Sequence, residues 1–428
     1  MEKVIVKNIA ANFYGIGVNL FSQIVLVPFF ISYWGIKLYA DWIALTAISS
    51  FFSMSDIGLN TVTANQYSIY YSKGCTDRCN SLLANNMILI LSIWILCLIF
   101  GVIVFNVIDI KSTMNLHVVS GNTGIFVLFL LISKIFISML SSVYTAVYRA
   151  KSVAYKTFLI GNTCRLFDAF ILLLGIILKL NIGLIACLYC IPSIFQFFFY
   201  AINSSLQYNC KVHLSTFDFQ LFKKTLIPSV SFMSFPLGYA IIMQGFTLIV
   251  NKFFGAENVV LYNTTRTICN FLKVVPNAIK NATWPEFTLA YAKNNIVRME
   301  VLYKKTIYLS LIFIVIAAIF LLACGNFIYQ IWTKNTVIFS FSLMLVYMIS
   351  IFFNSIWETS GMALMATNQH TRLGILFICL SILAFLIAFS IAPLISSLIP
   401  IVFCILLVDV SLSVYSLQRS KKIIYSSF

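Results

Sequence analysis

The sequence predicts an all-α polytopic membrane protein with about twelve transmembrane helices, arranged as two lobes of six helices each. Hydrophobic residues make up 61% of its 428 residues and charged residues only 9%, and the mean hydropathy is +0.98. A soluble domain usually carries roughly 25% charged residues. Apolar stretches recur along the whole chain, and one longer polar connection divides them into two sets of six.

Each predicted span is long enough to cross roughly 30 Å of hydrocarbon as a helix. The spans lie at about 8–34, 38–66, 82–106, 122–148, 157–178, 183–203, 226–251, 256–284, 305–324, 336–364, 373–391 and 396–417. The first span is too long for a signal-peptide core, and no small-residue cleavage site follows it. We therefore expect it to be retained.

Basic residues are concentrated in the loops on one side of the predicted helices. With a cytoplasmic N-terminus, eighteen of the 28 Lys and Arg residues lie on the cytoplasmic side, five in outer loops and five within spans. The positive-inside rule then predicts that both termini are cytoplasmic. The net charge of +16 mostly reflects this topology and attraction to anionic membrane lipids, so it gives little reason to expect a nucleic-acid partner.

The longest connection between spans predicts the domain organisation. The predicted domains are an N-terminal lobe (1–203), a cytoplasmic linker (204–225) and a C-terminal lobe with a short tail (226–428). Polar residues are concentrated on spans one, two, seven and eight, and Gly35 and Tyr39 after the first span are weakly echoed by Gly255 and Tyr262 after the seventh. Two lobes of like topology would bring these polar faces together around a central cationic cavity.

Three basic residues in the eighth span, here named the basic triplet, are the most informative feature: Arg266, Lys273 and Lys280. Steps of seven residues turn an α-helix by about 700°, so the three side chains drift by only about 20° per step. The triplet extends over about 21 Å, and cations at that depth normally face water or a partner. The same face carries Asn263, Asn270 and Asn277. The predicted role is anion binding; the alternatives are pairing with other helices and, for Lys280, extension to the headgroups.

The N-terminal lobe contributes further candidates for substrate binding. Asn12 and Asn19 lie on one polar stripe of the first span, Asn60 lies on a stripe of the second, and Lys134 lies near the middle of the fourth. We expect these side chains to line the cavity. Hydrogen bonding to neighbouring helices is the structural alternative.

Three residues are candidates for ion coupling: Asp56, Arg165 and Asp168. Asp56 is the deepest acid on a polar stripe, where it would carry a proton or neutralise a cation. Arg165 and Asp168 are three residues apart, so pairing on one helical face is the structural alternative. Weaker candidates lie nearer the predicted cytoplasmic ends of the spans: Glu286, Glu358 and Asp409.

The sequence predicts neither a metal nor a cofactor. Most of the 11 cysteines lie within or beside spans, where reduced, buried thiols are expected. Cys75 and Cys79 share a predicted cytoplasmic loop that lacks further metal ligands.

A cavity lined by cations and amides suits an amphipathic anion that carries many hydroxyl groups. Cations would hold phosphates, and Asn side chains both donate to and accept from sugar hydroxyls. A lipid-linked pyrophosphate sugar has this chemistry.

Short motifs lie along the whole chain, at Asn12, Gly15, Asn19, Pro28, Gly35, Tyr39, Trp42, Asp56-Ile57-Gly58-Leu59, Phe254-Gly255-Ala256-Glu257, Tyr262, and Gly325 through Ile331-Trp332. Through these residues the chain resembles the O-antigen and polysaccharide-unit flippases of the multidrug/oligosaccharidyl-lipid/polysaccharide (MOP) exporter superfamily. The resemblance implies a MATE-like fold around a cationic cavity and translocation of undecaprenyl-pyrophosphate-linked oligosaccharide across the bacterial inner membrane by alternating access. It also implies work beside a glycan polymerase and chain-length machinery.

Three alternatives remain at this point. A MATE-like drug or cation exporter should present an acidic or apolar cavity, whereas five cations within spans favour an anion. A facilitator-type sugar transporter would need a Gly- and Arg-rich loop after its second span, which 73–80 matches only loosely. A membrane polymerase or acyltransferase would need a reactive centre, yet the three histidines are scattered over loops and no nucleophile and base have suitable spacing.

Overall fold

The chain is built from helices joined by short turns. The computed structural model describes residues 2–53, 56–107, 109–113, 116–210, 212–333 and 339–425. Within these ranges most residues are helical and no β-strand occurs. The predicted all-α class is confirmed.

The chain divides into two compact units, Met1–Ser229 and Val230–Phe428. The predicted linker region contains the end of α9, a short 3-10 turn and the start of α10. The helices that begin in the first unit are α1 (Glu2–Phe29), α2 (Gly35–Ser53), α3 (Asp56–Ser72), α4 (Thr76–Val107), α5 (Ile110–Thr113), α6 (Gly121–Val143), α7 (Thr145–Ala150), α8 (Ala154–Ile177), α9 (Ile182–Tyr208) and α10 (Phe219–Phe232). A π-helical turn, Phe30–Trp34, joins α1 to α2.

The second unit contains the remaining helices. They are α11 (Ser234–Ala240), α12 (Phe246–Asn270), α13 (Val274–Ala292), α14 (Ile296–Thr333), α15 (Phe341–Ala366), α16 (Thr371–Ile391) and α17 (Ile399–Tyr425). A π-helical turn, Ile241–Gly245, joins α11 to α12, and a 3-10 turn, Phe271–Lys273, joins α12 to α13.

Ten stretches of the described residues are long and apolar enough to cross a membrane. They are Lys3–Ser22, Thr76–Val107, Gly121–Ala150, Ala154–Ile177, Ile182–Tyr208, Phe219–Gly255, Ile296–Ile331, Phe341–Ala366, Thr371–Leu394 and Ile399–Tyr425. The other two predicted spans, 38–66 and 256–284, correspond to α2 with α3 and to the end of α12 with α13. These are two of the spans that the sequence marks as polar, and the second carries the basic triplet.

The longest helices expose apolar surface, as membrane helices do. In α4, Leu96 and Phe100 are 64% and 67% exposed, and in α14 Ile319 and Phe320 are 62% and 60% exposed. Contiguous apolar surface of this kind is unfavourable in water but matches lipid chains. These faces of α4 and α14 therefore suit contact with the hydrocarbon core.

Buried polar residues hold the helices of the first unit together. The Asn60 amide donates to the carbonyl of Met139 at 3.0 Å, and its oxygen accepts from Asn86 at 2.8 Å, which joins α3, α6 and α4. The carboxylate of Asp41, only 1% exposed, accepts backbone N–H bonds of 2.8–2.9 Å from residues 117–119. A carboxylate on α2 thus fixes the loop before α6, because it satisfies three backbone donors that have no helical partner.

Small polar residues join the helices of the second unit. The hydroxyls of Ser360 and Ser416 lie 2.6 Å apart, and Ser420 donates to the carbonyl of Ser360 at 2.6 Å. These contacts let α15 and α17 approach closely, in the manner of small-residue packing between membrane helices. Arg298 and Glu286 form a 2.8 Å ion pair between α14 and α13.

Gly35 and Gly255 occupy equivalent bends in the two units. The φ and ψ angles are 73° and 167° at Gly35, and 81° and 174° at Gly255. Gly35 directly follows the π-helical turn Phe30–Trp34, whereas Gly255 bends α12 some way after the turn Ile241–Gly245. The weak echo between these positions in the sequence thus reflects the same backbone angles. Residues with a Cβ atom are strongly disfavoured in this region of conformational space.

We expect Gly35→Ala and Gly255→Ala each to destabilise the protein by about 1–3 kcal/mol, because the alanine backbone is strained at these angles. An added Cβ meets no atom within 4 Å at either site, so the effect isolates backbone strain from crowding. Thermal unfolding of the purified protein measures it. Gly17→Ala is the matched control, since its Cβ also meets nothing within 4 Å and its φ is not positive. Equal melting temperatures for all three variants would contradict the prediction.

Candidate functional site

The basic triplet lies on a helical segment that changes its winding halfway. Pro276 lacks an N–H group, and its ring crowds the carbonyl of Leu272, which disfavours a regular α-helix at this point. The chain forms the 3-10 turn Phe271–Lys273 there, at about 120° per residue instead of 100°. Three residues at about 120° add roughly 60° to the rotation of about 700° in a regular seven-residue step, so Lys273 still lies within about 40° of Arg266. The three cations therefore keep roughly one face, but they meet different partners.

Lys273 and Lys280 share one carboxylate. The Nζ atom of Lys280 lies 2.5 Å from Oε2 of Glu358 on α15, and Nζ of Lys273 lies 3.9 Å from Oε1. Tyr239 on α11 also donates a hydrogen bond to Glu358. All three charged side chains are only 12–16% exposed. Glu358 thus compensates part of the positive charge of α13 from another helix.

Arg266 is held by neutral oxygens instead of a carboxylate. Its guanidinium donates to the carbonyl of Met243 at 2.7 Å, to Asn263 Oδ1 at 2.6 Å and to Thr247 Oγ1 at 3.3 Å. It also lies 5.3 Å from the centre of the Tyr262 ring. Carbonyl and amide oxygens orient the group without cancelling its charge. Among the described residues, no carboxylate forms an ion pair with Arg266.

Asp409 is the second acid near the triplet. It is 3% exposed and accepts hydrogen bonds from Ser350 at 2.6 Å, Asn354 at 2.8 Å and the Trp357 indole at 2.9 Å. These bonds join α17 to α15. A small cavity of about 30 Å³ lies among Tyr239, Ile242, Met243, Arg266, Asn270, Lys273, Tyr347, Ser350, Ile351, Asn354, Ile405 and Asp409. It therefore brings together Arg266, Asn270 and Lys273, and it has room for about two water molecules.

The charged cluster of the second unit consists of Arg266, Lys273, Lys280, Glu358 and Asp409. With every group ionised, it carries one net positive charge. The sequence predicted its three cations and one asparagine of its cavity. It did not identify Glu358 and Asp409 as their neighbours, because an acid on a distant helix leaves no trace in the periodicity of α12 and α13.

In the first unit, Lys134 and Asp168 form a buried ion pair between α6 and α8. Lys134 Nζ lies 2.6 Å from Asp168 Oδ1, and the side chains are 12% and 17% exposed. Lys134 also donates to the carbonyl of Tyr189 at 2.8 Å and lies 3.8 Å from the centre of that ring. Among the described residues, Asp168 forms an ion pair with Lys134 and none with Arg165. Its partner comes from a neighbouring helix.

Arg165 lies at a polar groove between α1 and α8. The groove has a volume of about 320 Å³ and is lined by Asn12, Gly15, Ile16, Asn19, Thr157, Phe158, Gly161, Asn162 and Arg165. Asn162 donates to the carbonyl of Ala11 at 3.0 Å, and Asn12 donates to the carbonyl of Asn8 at 2.8 Å. An added Cβ on Gly15 would lie 2.4 Å from the Asn162 amide, so glycine permits this close contact. The groove presents one guanidinium and three amides.

Several predicted site residues lie elsewhere. The Asn60 amide is used between helices, as described above, and Asn277 is half-buried outside the small cavity. The side chain of Asp56 lies outside the described residues. Substrate binding and ion coupling by the predicted residues stay predictions.

Comparison with known proteins identifies the fold. No protein-family profile and no curated protein matches the sequence. Solved structures do: a MATE protein in the bent conformation (TM-score 0.83, 13% identity), an outward-facing multidrug resistance MATE family transporter of the MOP superfamily (0.81, 13%), and a MOP superfamily transporter from Pyrococcus furiosus (0.79, 14%). Each alignment covers 99% of this chain and 96% of the other.

The Pyrococcus furiosus protein is described as having a binding pocket of reverse polarity that suggests a different function. At 13–15% identity, these similarities define the fold of the present chain. The protein therefore has the fold of MOP superfamily transporters. With its many apolar helices, it is a multi-pass membrane protein.

Proposed function

We propose that the protein is a flippase that moves undecaprenyl-pyrophosphate-linked oligosaccharide across the bacterial inner membrane by alternating access. The observation that carries the proposal is Arg266, an arginine of the predicted eighth span with which no described carboxylate forms an ion pair. A guanidinium oriented by three oxygens is prepared to bind phosphate through charge-assisted hydrogen bonds. The transporter fold supports transport and not catalysis.

The polar residues of each unit suit the other parts of such a substrate. In the second unit, Asn270 and Tyr239 lie at the same cavity as Arg266 and Lys273. In the first unit, the groove at Arg165 offers Asn12, Asn19 and Asn162. Amides satisfy both the donors and the acceptors of sugar hydroxyls, while the cations hold phosphate. Each site carries an excess of positive charge, which favours an anionic substrate over an organic cation.

Coupling to an ion gradient belongs to the same proposal. Asp168 and Arg165 are the described candidates in the first unit, and Glu358 in contact with Lys273 and Lys280 is a further one. The proposed orientation places both termini in the cytoplasm, beside the machinery that supplies the lipid-linked unit. Glycan polymerase and chain-length proteins are the proposed partners on the outer side.

The test is complementation of a strain that lacks its polysaccharide-unit flippase and makes the cognate glycan. Wild-type protein should restore surface glycan, and Arg266→Ala with Lys273→Ala should fail at equal abundance in the membrane. Loss of one charge-assisted contact costs about 1.5–3 kcal/mol, so each single variant should lose roughly tenfold or more in rate. Lys252→Ala is the control, because Lys252 is an exposed cation on α12 outside the cluster.

Full restoration of surface glycan by the Arg266→Ala, Lys273→Ala double variant would show that these two cations are not required for transport. If the wild-type protein does not restore surface glycan, and the deletion strain does not accumulate lipid-linked units, then lipid-linked oligosaccharide is not the substrate.

A MATE-like exporter of drugs or cations is the second candidate. The outward-facing structural neighbour is a multidrug resistance transporter, and Glu358 and Asp409 place two carboxylates inside the second unit. Efflux of a fluorescent organic cation from cells separates the candidates. Our proposal expects no efflux above vector level, whereas efflux above that level would favour the exporter.

A further inference from the structure

A second basic cavity lies at one end of the second unit, away from the charged cluster. It has a volume of about 620 Å³ and is lined by Tyr291, Asn294, Leu364, Gln369, Thr371, Arg372, Tyr415, Arg419, Lys422 and Ile423. The walls come from the end of α13, the turn after α15, the start of α16 and the end of α17. Cavities of roughly 300–1,000 Å³ are typical of small-ligand sites.

The charge of this cavity is one-sided. Three of its lining residues are basic and none is acidic. Within the described part of the chain, neither Arg372 nor Arg419 forms an ion pair with a carboxylate. The acids of α13 and the start of α14 have other partners, since Glu286 pairs with Arg298 and Glu300 pairs with Lys304. Positive charge is therefore concentrated around an open volume.

The lining also supplies neutral donors in a fixed arrangement. Thr371 and Arg372 are the first residues of the 21-residue helix α16, whose N-terminus carries partial positive charge. Gln369 Nε2 donates to Tyr291 OH at 3.3 Å across the cavity wall. Asn294, which adopts a positive φ of 52° in the turn after α13, also lines the cavity. Guanidinium groups, hydroxyls and a helix N-terminus are the donors that proteins use for phosphate.

We propose that this cavity, here named the basic end cavity, binds a phosphate group at the predicted cytoplasmic end of the second unit, with Arg372 and Arg419 as its principal ligands. The inference is independent of the proposed transport substrate. The phosphate belongs either to the headgroup of an anionic lipid or to a soluble phosphorylated compound, because the cavity lies where helices end. A general excess of cytoplasmic lysines would not require a walled cavity with arginines on two helices.

Two binding measurements on the purified full-length protein distinguish the sources. Inorganic pyrophosphate, titrated by calorimetry into lipid-depleted protein, tests the soluble source, and every variant is compared in an Arg266→Ala background so that the charged cluster does not contribute. Native mass spectrometry of protein from nanodiscs containing phosphatidylglycerol and phosphatidylcholine tests the lipid source. Arg372→Gln with Arg419→Gln should weaken pyrophosphate binding, retention of phosphatidylglycerol, or both, by at least tenfold.

The control with the same change in charge is Lys223→Gln with Lys421→Gln, two exposed cations outside the cavity. It should bind like the wild type. Arg372→Lys with Arg419→Lys keeps the charge but loses the bidentate geometry. Its affinity should therefore lie between those of the wild type and the Gln double variant. Equal binding by the wild type and the Gln double variant in both measurements, at equal melting temperature, would overturn the proposal. So would equal weakening in the control variant.

Discussion

Glu358→Gln should lower the stability of the protein more than any other single neutralising change in the second unit. The substitution leaves Lys273 and Lys280 near each other without their shared carboxylate, in a site where the side chains are 12–16% exposed. Removing one partner of a buried ion pair costs about 3–5 kcal/mol. In a unit of this size the melting temperature should fall by roughly 6–20 °C. A thiol-reactive dye that reports exposure of buried cysteines, such as Cys269 and Cys404, measures the transition.

The second substitution Lys280→Met in the Glu358→Gln background should restore part of the loss, because it removes the cation left without a partner. Glu300→Gln is the matched control. Its ion pair with Lys304 is exposed, with 31% and 68% of the two side chains accessible, so the change should be below about 1 kcal/mol. If Glu358→Gln melts like Glu300→Gln, the contact does not stabilise the folded protein.

The fold class could be predicted from composition because the bilayer imposes strong constraints on a chain. Only helices and closed barrels satisfy backbone hydrogen bonds in hydrocarbon, so a series of long apolar stretches leaves little choice. The correspondence between Gly35 and Gly255 could also be recognised in the sequence, because a strong physical constraint selects the residue type there. A backbone angle that only glycine tolerates leaves a residue that cannot be replaced without strain.

The sequence predicted the part of the candidate site whose residues lie close together along one helical segment. Seven-residue spacing identified Arg266, Lys273 and Lys280 as one set, and Arg266 and Lys273 do line the same small cavity. The acids that meet them, Glu358 and Asp409, come from α15 and α17. Spacing within a helix carries no information about which other helix packs against it, since that choice depends on the complementary surfaces of both.

The same distinction explains the first unit. A separation of three residues made Arg165 a reasonable partner for Asp168. A pair of this kind on an exposed helix is worth only about 0.2–0.5 kcal/mol, whereas Lys134 lacked any carboxylate on its own helix. A buried ammonium without a partner is far more costly. The tertiary pairing of Lys134 with Asp168 removes that larger cost, and Arg165 is exposed at the polar groove.

The Lys134–Asp168 pair leads to the second large expected effect. Lys134→Met and Asp168→Asn should each destabilise the first unit by about 3–5 kcal/mol, because each leaves one charge buried without its partner. The double variant Lys134→Met with Asp168→Asn should be clearly more stable than the sum of the single effects predicts. A coupling energy of about 0.5–3 kcal/mol is expected for residues in direct contact. Thermal unfolding of the four proteins gives the complete cycle.

Measuring transport by the double variant then shows whether the ion pair has only a structural role or also couples transport to an ion gradient. If the pair only holds α6 against α8, a stable double variant should still move substrate. If Asp168 carries a proton, the double variant should fold and yet lose dependence on the ion gradient, because no titratable group remains at this position. Lys111→Met, which removes an exposed cation in the first unit, should leave both stability and transport unchanged. Additive single effects, with no recovery in the double variant, would show that the two side chains stabilise the unit independently.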